Sequence, residues 1–342
     1  MPHIQSSRGL LAVLVLILFS SCEEPVTDDG YVHTIAFAAD EDGYDDPDIR
    51  IMRENGADLR RIEWTDSQEQ LPHFHPTAPL VYFVSDRDGE GFNLYQADST
   101  ATTINQLTTS MNIDNYAFSA NGDWITFEHV TEDNDPKVMR MRSDGSDLQE
   151  LTDGMAPMYN TSSKIWFTAP EYPRNLMVYN LGDGNTEQVT SYNNTTYVID
   201  HNLVRDLYVL QLVLPAGTSS WQMVNENGDP IITLDIPSEA YGLSHLSDDG
   251  DLLCWVQYTG EGMQVYTADK NIKGITTLTT SSLFKTNADF YHEDLRIMYR
   301  AEDTEGDLYY LYKVAAEGGD EIQVSEGYKT MSEYYAIAPV FW

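Results

Sequence analysis

The chain is poor in cysteine and in basic residues, and it has only one long apolar run. Two of its 342 residues are cysteines, Cys22 and Cys254, so we expect no disulfide framework within the chain. Lys and Arg number 19 against 55 Asp and Glu, which gives a formal net charge of -36 at pH 7. Such a field repels phosphate backbones, so nucleic acid is excluded as a partner. The apolar fraction of 42% still supplies a buried core.

The single long apolar run lies at the N-terminus. Arg8 precedes ten apolar residues at 10–19, and two serines then lead to Cys22. Ten residues of helix span about 15 Å, about half of a bilayer core, so the run predicts a signal peptide at 1–21. The serines before the cysteine resemble a bacterial lipobox, which implies lipidation of Cys22 and an outer-membrane lipoprotein facing the periplasm or the cell surface. An ordinary secretory signal is the alternative.

Two boundaries follow from the residues after the signal. Residues 22–31 are acidic and turn-prone, which is typical of a tether, and residues 32–342 are predicted to form the folded domain.

The second cysteine, Cys254, lies in the apolar run 252–256, so we expect a small buried side chain rather than a nucleophile.

Seven short apolar runs recur at regular spacing through the folded domain. Each ends in an anchor residue: Phe37, Phe83, Phe127, Phe167, Val209, Trp255 and Tyr299. The mean spacing is about 44 residues, which matches the period of four-stranded propeller blades. A polar loop, a second strand such as Asn93-Leu94-Tyr95, and a turn with Gly, Asp or Asn follow most anchors. Most units close on an aliphatic residue plus a hydroxyl, as in Leu107-Thr108. The pattern predicts an all-β, seven-bladed propeller of four-stranded antiparallel blades.

The two ends of the domain are predicted to share a blade. The first unit has no strand before its anchor, whereas the C-terminal segment 336–342 parallels residues 156–159 ahead of the fourth anchor. A C-terminal strand that completes the first blade closes the ring and removes an open sheet edge.

The second unit resembles the repeat of TolB-type β-propellers. The resemblance rests on Phe83–Gly89, Leu94–Asp98 and Gln106–Thr108. It also rests on Phe118–Gly122 and on Pro72–Pro76, in which His75 stands at a position where that family usually has Ser. It implies a periplasmic or surface protein that docks partners across one face of the propeller. TolB itself usually has six blades, so a six-bladed ring is the alternative.

The loops after the anchors of units seven, one, two and three are rich in acidic residues, and in a closed ring they form one arc. The candidate ligands are Asp40, Asp42, Asp45, Asp86 and Asp88. Two interpretations stay open. The oxygens bind Ca²⁺ or attract a cationic partner, or the Asp side chains bond their own turn backbone.

Five histidines lie shortly before the anchors: His73, His75, His201, His245 and His292. His73 and His245 share one register, and His75 and His201 share another. Oligogalacturonate lyases, seven-bladed propellers of similar repeat, hold a divalent metal with channel histidines. The resemblance therefore implies a lyase-like metal site as one hypothesis, and packing or turn roles as the other.

The sequence contains no Gly-x-Ser-x-Gly elbow, phosphate-binding loop, dinucleotide fingerprint or Cys-x-x-Cys pair. We therefore predict a non-catalytic, monomeric module that binds an envelope protein or glycan and meets the membrane only through its lipid. No cofactor is predicted apart from the Ca²⁺ alternative. The second hypothesis is a metal-dependent polysaccharide lyase acting on an acidic sugar. Exposed rings such as Tyr172, Trp221 or Tyr258 are candidates for sugar stacking, with blade packing as the alternative.

Overall fold

The computed structural model describes residues 33–337 apart from 42, 44–45, 63–65, 99, 101, 194, 203–206, 214–218, 235–239, 248–249, 292–295, 304 and 306–307. The predicted signal peptide, Cys22 and the tether lie outside the described residues. Within the part of the chain that is described, no helix is long and apolar enough to cross a membrane.

The described strands form seven sheets, each with four antiparallel strands. The first blade contains β1 (Thr34–Asp40), β2 (Asp48–Arg53), β3 (Arg60–Arg61) and, from the far end of the chain, β28 (Thr330–Ile337). Blade 2 contains β4 (Glu69–Phe74), β5 (Leu80–Ser85), β6 (Asn93–Asp98) and β7 (Ile104–Gln106). Blade 3 contains β8 (Ile113–Phe118), β9 (Trp124–Val130), β10 (Pro136–Arg142) and β11 (Gln149–Asp153). Blade 4 contains β12 (Met155–Thr161), β13 (Lys164–Thr168), β14 (Leu176–Asn180) and β15 (Thr186–Gln188).

The remaining three blades follow the same plan. Blade 5 contains β16 (Thr195–Asn202), β17 (Leu207–Val213), β18 (Ser219–Asn225) and β19 (Pro230–Leu234). Blade 6 contains β20 (Ala240–Leu246), β21 (Leu252–Tyr258), β22 (Met263–Asp269) and β23 (Thr276–Thr277). Blade 7 contains β24 (Phe284–Tyr291), β25 (Arg296–Glu302), β26 (Tyr309–Ala315) and β27 (Ile322–Gln323). The predicted seven-bladed propeller is confirmed, and the six-bladed alternative is wrong.

Blade 1 is completed by the C-terminal strand, as predicted. β28 pairs antiparallel with β1, and Phe37 lies opposite Tyr335. The strand begins at Thr330, six residues before the predicted segment, because the run of Thr, Met and Tyr residues there already suits a pleated sheet. Residues 338–342 lie outside the described part.

The hydrophobic core is divided among the spaces between blades. The described residues form seven separate buried clusters, and each combines side chains from two neighbouring blades. Phe37, for example, packs with residues of blade 7, and Phe83 packs with residues of blade 1. The anchors recur because both faces of every sheet are covered by a neighbour. Cys254 is buried in the cluster between blades 6 and 7, as predicted.

The repeated hydroxyl after the fourth strand links that strand to the third. In blade 2, Thr108 Oγ1 accepts a hydrogen bond from the Leu94 amide at 2.9 Å. Thr190, Thr279 and Ser325 accept the corresponding bond in blades 4, 6 and 7. These bonds fix the point at which each blade passes into the next.

Candidate functional site

One face of the propeller carries the loops between second and third strands together with the connections between blades. We call it the loop face, and antiparallel pairing within each blade places these segments on the same side. Three cavities formed by described residues lie on this face, across blades 2 to 5. Concave surfaces of this kind are the usual location of ligand sites, so we take them as the candidate region.

The cavity between blades 2 and 3 is acidic. It has a volume of about 900 Å³ and is lined by Glu90, Gly91, Ser110–Asn112 and His129–Asn134. We call it the acidic cavity. Its carboxylates are Glu90, Glu132 and Asp133, and Ser110 Oγ donates to Glu90 Oε2 at 2.7 Å.

A buried amide holds the walls of the acidic cavity together. Asn93, at the start of β6, accepts hydrogen bonds on Oδ1 from Thr108 Oγ1 and from the Met111 amide. Its Nδ2 donates to Asp88 Oδ2 and to the Gly91 carbonyl. Gly91 has a positive φ, and a Cβ there would lie 2.5 Å from the Met111 carbonyl oxygen. Only glycine therefore allows the two walls to approach so closely.

The cavity beside blade 4 is lined by aromatic and amide groups instead. It has a volume of about 490 Å³, and Tyr172, Tyr192, Gln188, Ser191 and Asn193 contribute to its lining. We call it the tyrosine cavity. Glu171 is the one charged group among its described lining residues.

The same type of amide holds the tyrosine cavity. Asn175, at the equivalent position before β14, accepts hydrogen bonds on Oδ1 from Thr190 Oγ1 and the Tyr192 amide. Its Nδ2 donates to the Pro173 and Tyr192 carbonyls. We call Asn93 and Asn175, with their bonds, the amide clips. In blade 6, Gln264 Oε1 accepts from Thr279 Oγ1, and the buried Lys285 Nζ fills the neighbouring space by donating to three backbone carbonyls.

A third cavity, between blades 3 and 4, has mixed charge. Its volume is about 430 Å³, and its lining includes Glu128, Lys137 and Arg174. Burial raises the pKa of Glu128, and the charge of Asp114 acts in the same direction. Glu128 Oε2 accepts a hydrogen bond from the Ala156 amide at 2.8 Å.

The position of Glu128 indicates a structural role. It directly follows the anchor of blade 3, and its bond reaches the first strand of blade 4. Thr168 and Arg300, which directly follow the anchors of blades 4 and 7, make the equivalent link to Thr196 and Met331. Three different side chains at one register thus join a blade to the next, so the raised pKa of Glu128 follows from its place in the frame.

The described Ca²⁺ candidates, Asp40, Asp86 and Asp88, all accept hydrogen bonds from the protein. Asp40 Oδ2 accepts from the Gly43 amide, and Asp86 Oδ1 accepts from the Gln68 amide. Asp88 accepts from the Glu90 amide, Asn93 Nδ2 and Gln106 Nε2. Asp42 and Asp45 lie outside the described residues. Among those described, no three His, Cys, Asp or Glu side chains are grouped to hold a metal ion. The geometry favours the turn interpretation for Asp40 and Asp88, whereas the Asp86 carboxylate bonds the segment that leads into the first strand of blade 2.

His73 and His245 each contact a residue of the next blade. The His73 ring packs against Tyr116 at 4.7 Å between ring centres, and burial lowers the pKa of His73 to about 4. His245 Nδ1 lies 3.4 Å from Asp289 Oδ1. Both contacts join neighbouring blades, which agrees with the packing interpretation. The His201 side chain and all of His292 lie outside the described residues, so the lyase hypothesis stays a prediction there.

His75 links its own turn to a turn of blade 3. Its Nε2 donates to the Gly122 carbonyl at 3.0 Å, and its Nδ1 accepts from the Thr77 amide at 3.1 Å. Ser119 and Ser247, at the same register, instead accept from the amide five residues later, that of Trp124 or Leu252. Both ring nitrogens of His75 are therefore occupied, which requires the neutral ring. Burial lowers the pKa of His75, which also favours the neutral ring.

The three candidate stacking rings differ in exposure. Tyr172 and Tyr258 are 69% and 52% exposed, whereas Trp221 is only 2% exposed. The expectation of an exposed ring at Trp221 is wrong, because its indole packs into the cluster between blades 5 and 6. Its place in β18, opposite Leu234, faces a neighbouring blade.

Comparisons with known proteins agree with this architecture. No family model and no curated protein matches the chain. TolB from Acinetobacter baumannii superposes with a TM-score of 0.56 at 16% identity, over 90% of this chain and 67% of that chain. The chain shares the fold of TolB-type propellers.

Two other solved structures show the same fold in different settings. The β-propeller domain of the Trilobed protease from Pyrococcus furiosus gives a TM-score of 0.65 at 13% identity, over 86% of this chain and 96% of that chain. Oligogalacturonate lyase from Vibrio parahaemolyticus gives 0.61 at 10% identity, over 82% and 90%. Since these neighbours include both TolB and enzymes, the fold by itself assigns no activity.

Proposed function

We propose that this chain is a non-catalytic binding module of the bacterial cell envelope, anchored through a lipid on Cys22, and that its acidic cavity binds a basic segment of a protein partner. The observation that carries the proposal is the lining of this cavity. It presents Glu90, Glu132 and Asp133, and none of its described lining residues is Lys or Arg.

Two further features support a cationic partner. The net charge of -36 steers positively charged molecules toward the surface and speeds their association. The walls of the cavity are fixed before binding, because Asn93 ties both of them to the frame and Gly91 allows their close contact. A preformed site loses less conformational entropy when a ligand binds. The N-terminal signal and Cys22 support the envelope location.

The test is a titration of the purified protein with a short fluorescein-labelled peptide of alternating Lys and Gly, followed by anisotropy. We expect saturable binding at an ionic strength of about 0.1 M, where the Debye length is about 10 Å and charges outside the cavity are largely screened. Replacing Glu90→Gln, Glu132→Gln and Asp133→Asn together should weaken it about tenfold or more, because three attractive charges are lost.

A matched variant separates the cavity from the overall charge. Glu187→Gln, Glu317→Gln and Asp320→Asn together also remove two Glu and one Asp charge, at exposed sites that line none of the three cavities. This variant should bind the peptide within about twofold of the original protein, since distant surface charges are largely screened. Equal losses in both variants, or no binding at all, would contradict the proposed function.

A further inference from the structure

Tyr172 is oriented unlike an ordinary surface tyrosine. Tyrosines near a surface usually bury the ring and leave the hydroxyl in water. Tyr172 does the reverse. Its hydroxyl donates to the Asn193 carbonyl at 2.8 Å, while 69% of the residue stays exposed. The hydroxyl thus holds a ring that lines the tyrosine cavity, while most of the residue stays open to solvent.

Tyr192, the other tyrosine of this cavity, is equally fixed. Tyr192 donates its hydroxyl to Gln222 Oε1 at 2.5 Å, and its backbone amide and carbonyl are both bound by Asn175. Asn175 also holds the Pro173 carbonyl, next to Tyr172. The two tyrosines are therefore held to one frame, which favours a ligand that needs a preformed surface.

Uncharged polar groups surround the two rings. Gln188 uses its Nε2 to reach the Thr190 carbonyl at 2.6 Å, which leaves Oε1 as an acceptor. The Ser191 hydroxyl and the Asn193 side-chain amide line the cavity and form no hydrogen bond with any described residue. Hydroxyl and amide groups both donate and accept, so they complement the hydroxyls of a saccharide.

We propose that the tyrosine cavity is a binding site for a neutral saccharide. The C–H face of one sugar ring stacks on Tyr172, and the sugar hydroxyls bond to Ser191, Asn193 and Gln188. The cavity volume of about 490 Å³ lies within the roughly 300–1,000 Å³ range of small-ligand sites and suits a short saccharide. The site is separate from the acidic cavity and does not depend on it.

The charge of the site selects among saccharides. Among the described lining residues Glu171, which is exposed, is the one charged group, and the whole chain carries a net charge of -36. No described lining residue is a cation able to pair with a uronate or a phosphate. A neutral sugar therefore enters without electrostatic opposition, whereas an acidic sugar is repelled.

The experiment titrates the purified protein, by saturation-transfer NMR and calorimetry, with cellotriose, maltotriose, xylotriose, chitotriose and trigalacturonate. At least one neutral trisaccharide should bind at up to about 10 mM, more tightly than trigalacturonate. Tyr172→Ala should weaken it about tenfold or more, because the stacking face is lost. Tyr172→Phe keeps the ring but loses the bond to Asn193, so the loss should be about twofold to fivefold.

Tyr258 provides the matched control. It is also an exposed tyrosine on the loop face, its hydroxyl bonds only to the Gly260 carbonyl, and it lines none of the three cavities. Tyr258→Ala should leave saccharide binding unchanged, and Tyr172→Ala should leave peptide binding at the acidic cavity unchanged. The proposal is overturned if no neutral sugar binds, if trigalacturonate binds best, or if Tyr258→Ala costs as much as Tyr172→Ala.

Discussion

The acidic cavity and the tyrosine cavity differ in their linings although the same frame holds them. In each, an Asn at the start of the third strand accepts from a Thr hydroxyl and from the amide of the connection to the next blade. One cavity then presents Glu90, Glu132 and Asp133, whereas the other presents two tyrosines and neutral amides. The repeat supplies the frame, and the few residues of each loop decide which ligand fits.

The shared frame is tested by removing the clips. Asn93→Leu and Asn175→Leu each leave buried donors and acceptors without partners, so each should lower the free energy of unfolding by about 2–4 kcal/mol. Urea unfolding followed by tryptophan fluorescence measures the change. The exposed Asn193→Leu should alter stability by no more than about 0.5 kcal/mol. If only one of the two clip variants is destabilised, the cavities do not rest on equivalent frames.

The contacts between the blades that carry the two cavities should also differ in how their stability depends on pH. Blades 2 and 3 meet at His73, whose pKa is lowered to about 4, whereas blades 4 and 5 meet at the contact of Trp166 with Tyr208. The unfolded chain, with a His pKa of about 6.5, binds the proton more tightly. The free energy of unfolding therefore falls as the pH drops from about 6.5 to about 4, by up to about 3 kcal/mol.

His73→Phe should remove that part of the pH dependence while keeping a ring against Tyr116. Urea midpoints between pH 4.5 and 7.5 measure the difference between the two proteins, so carboxylates common to both cancel. Parallel curves would show that His73 does not carry the acid sensitivity.

The smallest expected difference between the two cavities is in how ligand binding depends on salt. Raising NaCl from 50 to 500 mM should weaken binding of the basic peptide about tenfold, because screening removes the attraction of the carboxylates. Binding of the neutral trisaccharide should change by less than about twofold, since no ion pair forms. Titrations of both probes in one salt series provide the comparison, and an equal response would mean that the linings do not act as their charges suggest.

The frame was largely readable in the sequence, because its signals repeat. All seven anchors lie in strands of the structure, as predicted, and the aliphatic-hydroxyl pairs mark the ends of blades. The amide clips also have a sequence signal. Asn93-Leu94 and Asn175-Leu176 are each followed by a Thr 15 residues after the Asn, but the meaning of that spacing depends on which strands pair.

The linings were harder to predict. Asp88 was a candidate ligand from its loop alone, yet its carboxylate is bound within its own blade, whereas Glu90, two residues later, lines the acidic cavity. Tyr172 and Trp221 looked alike as aromatic residues near loops, and only the packing of neighbouring blades distinguishes an exposed ring from a buried one. Loop conformation and contacts between blades carry no periodic signal.

The pairing of β28 with β1 has a consequence for biogenesis. Phe37 and Tyr335 lie opposite each other in one sheet although 298 residues separate them along the chain. A polypeptide that emerges from its N-terminus cannot finish its first blade until residues 330–337 have also emerged, and contacts so distant in sequence form slowly. The ring therefore stays open until the last described strand of the chain is available. A product that terminates before residue 330 would display an unpaired strand edge, which is open to pairing with another chain.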